Sequence, residues 1–238
     1  MITTILFDLD GTLLPIEEQP FMELYFGFMA KHFAALGFDY KPLIQAVLKS
    51  TDSMRANRGP KTNEAVFWDS FSFVSDYSID DIQKEFMRFY EAKFDWVRPS
   101  SKTNPLARMI IDLLKSKGYT IALATNPLFP RIATEKRIAW AGLKTEDFLL
   151  VTTYENSKAT KPSKEYYQGV LNAIEKSAHE CLMVGNDANE DMSASDIGIA
   201  TYLMLDGLIN TKNHDLNRFR RGTFQDFFQY AHSLPSLI

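Results

Sequence analysis

The chain has 238 residues, 45% of them hydrophobic and 24% charged, with a formal net charge of -4. That is enough apolar material for a well-buried globular core. The mild acidity, with a pI ≈ 5.6, speaks against wrapping a nucleic acid polymer or adsorbing to an anionic membrane, and leaves a small molecule as the expected partner.

In chain order, residues 2–7 are a short apolar run that Asp8 and Asp10 interrupt at once, so no signal peptide is expected. No stretch approaches the roughly 18 uninterrupted apolar residues of a membrane span, and a soluble cytoplasmic protein is the expectation. For the next eighty or so residues there is no convincing strand. Phe21, Leu24, Tyr25, Phe28 and Met29 recur at helical spacing, residues 43–48 suggest a second helix, and residues 80–93 with Ile82, Phe86, Phe89 and Tyr90 a third. The aromatics Phe26, Phe67, Trp68 and Phe71 are expected mainly in the core of this helical segment. Pro99 and the polar SSKTN after it mark a return to mixed structure.

The next segment, NPLARMIIDLLKSKG, reads as a helix with Asn104 as N-cap, Pro105 first and Gly118 as stop. Leu106, Met109, Ile110, Leu113 and Leu114 are its expected inward face. Apolar runs at 119–124, 148–152, 181–184 and 199–205 read as further strands, continuous rather than alternating, as in a parallel sheet covered on both faces. A helix starting near Ser163 turns Tyr166, Tyr167, Val170, Leu171 and Ile174 inward. The single cysteine, Cys181, cannot form an internal disulfide and is expected to be a buried, unreactive thiol. A last helix is expected in the C-terminal stretch, with Arg218, Arg220 and Arg221 as surface charge. The fold class is therefore α/β, a doubly wound, mostly parallel sheet. Residues 1–16 and 98–238 form its core domain, and residues 17–97 an inserted all-helical domain.

Ligands of an open α/β sheet sit beyond the carboxyl ends of its strands, and the residues there form a coherent set. Asp8 and Asp10 follow the first strand, Thr125 and Asn126 the second, and Asp187 the run CLMVGND, with Asp191 four residues on; Lys161 lies in SKATKPSKEY. Two carboxylates about 4 Å apart repel by roughly 4 kcal/mol at an effective dielectric near 20, against a domain stability of only about 5 to 15 kcal/mol. A divalent cation relieves that repulsion, and hard carboxylate oxygens suit Mg²⁺, which completes its shell with water and phosphate. Metal, lysine and threonine together make a site for phosphoryl oxygens.

FDLDGTLL, ALATN, the Lys161-Pro162 pair and VGNDANEDM resemble, in order, the four motifs of the haloacid dehalogenase-like (HAD) hydrolase superfamily. The resemblance implies that Asp8 is a nucleophile forming an aspartyl-phosphate, and that Asp10 protonates the leaving oxygen and then activates water. It implies that Thr125 and Lys161 hold the phosphoryl oxygens with Asn126 assisting. Mg²⁺ would be held by Asp8, the Asp10 carbonyl and Asp187, with Asp191 orienting its shell and Glu190 as the competing acid. An acid at position 10 is typical of the phosphatases and phosphomutases it resembles, because a leaving alkoxide needs a proton and a halide does not.

The helical insertion matches the family's C1 cap, and only about thirty-five residues separate Thr125 from Lys161, too few for the larger alternative cap. Within it, SMRANRGPK offers Arg55, Arg58 and Lys61; Arg58 is the candidate for a second anionic group on the substrate, against a solvated loop. DANED imitates half an EF-hand loop, but Met192 stands where that loop needs Gly and Gly198 where it needs Glu. His32, His179, His214 and His232 lack zinc-ligand spacing. The expected function is Mg²⁺-dependent hydrolysis of a small phosphorylated metabolite by a monomer or weak dimer. A phosphosugar mutase is the alternative, and a phospho-accepting signalling domain a remote one.

Overall fold

A computed structural model describes residues 1–75 and 77–238. Five strands, β1 (Thr4–Phe7), β2 (Thr120–Leu123), β3 (Cys181–Gly185), β4 (Ala200–Met204) and β5 (Arg220–Gly222), form one sheet in the order β2-β1-β3-β4-β5. All neighbours are parallel, with Thr4 opposite both Thr120 and Cys181. A parallel sheet must be covered on both faces, and β1, between β2 and β3, is buried along its whole length. Alternate residues divide between two cores. Ile5, Phe7, Ile121, Leu123, Leu182 and Val184 face the larger one, with helices α5 (Pro105–Ser116), α6 (Arg131–Trp140) and α8 (Phe224–Ser233). Leu6, Ala122, Cys181 and Met183 face the other, under α7 (Lys164–Ala173).

Between β1 and α5 lie four helices: α1 (Glu18–Ala35), α2 (Tyr40–Arg55), α3 (Asn63–Val74) and α4 (Ile79–Ala92). The chain leaves and re-enters the sheet region at one place. Glu17 N donates to Ser100 O at 3.0 Å and Lys102 N to Pro15 O at 2.9 Å, around an antiparallel bridge between Ile16 and Ser101. Side-chain caps start these helices where the sequence supplies them: Asp39 accepts from Lys41 N and Thr62 from Ala65 N. Phe67 and Phe71 are buried as expected, whereas Phe26 and Trp68 remain partly exposed. Among the described residues no helix is long and apolar enough to cross a membrane.

The structure corrects three local expectations. Residues 148–152 do not form a regular strand: Leu149 N and Thr152 N donate to Ile121 and Leu123 carbonyls, but only Val151 bridges β2. At this outer edge Leu149 is 64% exposed, so its apolar character does not mark a buried strand. On α5 the buried set is Ala107, Ile110, Ile111 and Leu114, while Met109 is 49% exposed. The apolar arc of that helix is wider than its contact, and packing on β2 and α8 selects the side carrying Ala107 and Ile111. Arg220 and Arg221 are exposed, as expected, but they belong to an unexpected strand, β5, a polar edge strand that pairs through its backbone.

Candidate active site

The carboxyl ends of β1, β2 and β3 meet at one rim because all three strands run the same way. The Asp8 amide donates to Val184 O at 2.9 Å, which carries the chain one residue past β1 before it turns. Gly11 makes that turn with φ +80°, and a Cβ there would come within 2.3 Å of the Asn186 amide nitrogen. Only glycine fits both demands. Asn186 then ties three loops together, accepting from Thr12 Oγ1 at 2.9 Å and donating to Gly207 O at 2.7 Å.

At the centre, Lys161 Nζ donates to Asp8 Oδ1 at 2.8 Å and to Asp191 Oδ1 at 2.6 Å. All three residues are buried, at 3%, 7% and 1% exposure. The neighbouring Lys158 and Lys164 of that segment are exposed. Asp191 Oδ2 accepts from Asp187 N at 2.9 Å, and Asp187 Oδ1 accepts from the amides of Asn189 and Glu190. Asp191 folds back over Gly185, where a Cβ would lie 2.1 Å from its Oδ2. The resemblance has Asp191 orienting a metal shell; in the structure its two oxygens hold Lys161 and the Asp187 amide. Glu190 accepts from Asn126 Nδ2 at 2.7 Å and lies 3.7 Å from Arg55.

Thr125 is buried, and its carbonyl accepts from Thr152 Oγ1 at 2.6 Å and Tyr166 Oη at 2.9 Å. Its own hydroxyl takes no hydrogen-bond partner among the described residues. Two fully buried oxygens, Asp10 Oδ1 and Asn126 Oδ1, lack a partner among the described residues. Such orphans are uncommon in a folded interior and point to a ligand that completes them. The other Asp10 oxygen pairs with Arg137, which sequence reasoning missed. Arg137 is only 2% exposed, stacks over the Phe129 ring at 4.5 Å, and rests on Ala133 O and Thr134 Oγ1 at 3.3 Å each.

The electrostatics are lopsided. Burial pushes the Asp8 carboxyl up to about 7 against the pull of Lys161. Burial alone would lower the Lys161 ammonium, but Asp191 and Asp8 outweigh it and hold it well above its usual range. One buried cation shared by two buried anions leaves a net charge of -1, before Asp187 is counted, in surroundings that penalise unpaired charge. Added positive charge is therefore favoured. Among the described residues no three His, Cys, Asp or Glu side chains are gathered closely enough to hold a metal alone. Asp8 Oδ2, Asp187 Oδ2 and the Asp10 carbonyl nevertheless accept no hydrogen bond from the described residues. Two carboxylates and a carbonyl are the hard donor set suited to Mg²⁺, the rest of its shell being water and phosphate.

Arg58 is not brought to this rim. It is exposed and donates to its own turn, to Arg55 O at 2.9 Å and Asn57 O at 2.6 Å, with Glu165 at 3.7 Å. Arg55, the last residue of α2, lies 3.7 Å from Glu190 instead. Asn63, also missed, is fully buried at the start of α3, and its Nδ2 donates to Pro127 O at 3.2 Å and Ala159 O at 3.1 Å. Through Asn63 the helical segment holds the two loops that carry Asn126 and Lys161.

A family model for haloacid dehalogenase-like hydrolases matches residues 2–195. The chain belongs to that family. The motif resemblance read from the sequence is thus correct at family level, and the four-motif rim is that of a HAD-like hydrolase. The pyrophosphatase PpaX of Bacillus cereus is 23% identical over 205 residues, covering 84% of this chain and 82% of that protein. The HAD phosphatase from Thermococcus onnurineus has the same fold at TM-score 0.60 and 17% identity, over 99% of this chain and all of that one. The HAD-hydrolase YfnB from Bacillus subtilis, solved bound to magnesium, matches at TM-score 0.57 and 19% identity, over 97% of this chain and 99% of its own. L-2-haloacid dehalogenases share the fold as well.

Proposed function

We propose that this HAD-like hydrolase is a Mg²⁺-dependent phosphatase of the cytoplasm, acting on a small organic phosphomonoester through an aspartyl-phosphate on Asp8. The observation that carries this reading is the buried Asp8, Lys161 and Asp191 group, in which one Asp8 oxygen is held by Lys161 and the other is free. A carboxylate fixed in this way can attack in line without first reorganising. One oxygen of the Asp8 carboxylate bonds to phosphorus as the ester oxygen departs with a proton from Asp10. Asp10 then takes a proton from the attacking water, and inorganic phosphate leaves as the Asp8 carboxylate is restored. The Thr125 hydroxyl, the Lys161 ammonium and the Asn126 side chain bind the phosphoryl oxygens. Bound Mg²⁺, held by Asp8, the Asp10 carbonyl and Asp187, supplies the positive charge that offsets the phosphoryl group.

Asp10 supports the phosphatase branch over the dehalogenases, since its unpartnered oxygen is the proton carrier an alkoxide requires. Residues 17–97 act as a C1-type cap domain over the core of residues 1–16 and 98–238. The test is phosphate release from a broad panel of phosphate esters, with and without EDTA, by the wild type and Asp8→Asn. Turnover of at least one ester that EDTA and Asp8→Asn each abolish supports the reading. Equal release by Asp8→Asn removes it.

A further inference from the structure

The four helices between β1 and α5 enclose a cavity of about 220 Å³ that the phosphoryl site does not use. Its walls are aromatic, with Phe26, Phe67, Trp68 and Phe86 among them, and its floor is Leu128 and Phe129. Met22, Leu48 and Met87 stand at its mouth at 37%, 43% and 41% exposure. Apolar side chains that ring an opening and remain in water mark a binding site more often than a packing fault. We propose that this cavity takes the organic half of the substrate, and that this half is a hydrocarbon group, aliphatic or aromatic, rather than a sugar. The inference rests on the phosphatase reading and narrows its substrate.

Three observations support it. The cavity borders the site: Leu128, which lines it, is two residues beyond Asn126, and Phe129, which also lines it, lies under the Arg137 guanidinium that pairs with Asp10. Arg55, another lining residue, is 3.7 Å from Glu190, which holds Asn126. A phosphate at Asp8 therefore has its leaving group directed toward this floor. The polar groups of the wall are mostly spent. Tyr25 and Tyr90 bond each other through their hydroxyls at 2.7 Å, and Thr51 Oγ1 donates to Val47 O at 2.9 Å. The Trp68 indole and the Tyr154 hydroxyl bond each other, so among the described lining residues Arg55, Glu64 and Gln83 are the other polar side chains. A sugar would bury several hydroxyls with too few partners, at about 1 to 3 kcal/mol for each one left unpaired, while an alkyl chain gains with every methylene.

The test uses n-alkyl phosphonates from ethyl to hexyl, whose carbon–phosphorus bond is not hydrolysed, titrated by calorimetry into the full chain with Mg²⁺. Matched n-alkyl phosphates, whose leaving groups are nearly equal in basicity, are assayed for phosphate release. Affinity should rise by about fourfold per methylene, on the order of a hundredfold across the series, and Thr51→Trp, which fills the cavity, should flatten the rise. A flat series in the wild type overturns the proposal, as does a rise that Thr51→Trp leaves untouched. The wild-type series decides even if the variant does not fold. Chain-length-dependent binding without phosphate release from any ester would instead defeat the phosphatase reading and leave the apolar site standing.

Discussion

Arg137→Met removes the one cation among the described residues that pairs with Asp10, at a site where the two partners differ in exposure. The Arg137 side chain is 2% exposed and that of Asp10 32%. Breaking a fully buried pair costs about 3 to 5 kcal/mol, most of it from the charge left behind. Asp10 can recover part of its hydration, which lowers that term, but the variant also loses the cation over Phe129, an interaction of about 0.5 to 2 kcal/mol. The net expectation is about 3 kcal/mol in urea unfolding, or roughly 6 to 12 °C in Tm for a chain of this size. The freed Asp10 carboxylate no longer has one orientation toward the ester oxygen, and a misplaced proton carrier costs about 100-fold in rate. Phosphate-release kinetics should therefore show that loss in kcat with KM within about threefold, and Arg137→Lys should recover part of it. Asp10→Asn keeps an acceptor for Arg137, so its stability cost should be smaller, about 1 kcal/mol. Wild-type unfolding midpoint and kcat in Arg137→Met would refute the reasoning.

Other outcomes follow from the same geometry. Asn63→Ala strands Pro127 O, Ala159 O and the Asn57 side-chain amide that donates to Asn63 Oδ1 at 2.8 Å. Urea denaturation should show a loss of about 2 to 4 kcal/mol, and a loss under 0.5 kcal/mol would mean that water replaces the bonds. Burial raises the Asp147 carboxyl, but Arg108, Lys115 and the Lys144 amide outweigh it and bring it down to about 2. A depressed carboxyl stabilises the fold above its unfolded value of 3.8 and loses that contribution as pH falls through about 2. Because Lys115 is 45% exposed, the contribution is discounted to about 1 to 2 kcal/mol. Asp147→Asn should thus be less stable than wild type by that amount at neutral pH and equal to it near pH 2; a gap independent of pH would contradict the linkage.

Much of the rim was legible because its chemistry demands particular residue types at set offsets from buried strands. Asp8 and Asp10 after an apolar run, Asp187 after CLMVGND and Lys161 before Pro162 stand out for that reason, and the structure gathers Asp8, Lys161 and Asp191 within hydrogen-bond reach. What Asp191 touches was not legible. A carboxylate four residues past Asp187 can face a cation or a lysine equally well, and only the fold brings Lys161 to it.

Arg137 carries no sequence signal, since RIATEKRIAW holds Arg131, Lys136 and Arg137 with little to separate them. Only the packing of α6 shows that Arg137 turns inward while Arg131 is 55% exposed. Arg58 and Arg55 pose the same problem, three residues apart in one polar stretch. Arg58 is absorbed by the carbonyls of its own turn, and Arg55 is left to face Glu190. The fold errors share a physical origin too. Edge segments such as 148–152 and β5 pair through backbone groups, which every residue carries, so side-chain pattern is a poor guide to them.

The most direct measurement is intact-protein mass spectrometry of an acid-quenched reaction with a turned-over phosphate ester and Mg²⁺. The wild type should gain the mass of one phosphoryl group, mapped by fragmentation to Asp8 and absent from Asp8→Asn. Steady release of phosphate with no such adduct, or an adduct that persists in Asp8→Asn, would contradict the assignment of Asp8 as nucleophile.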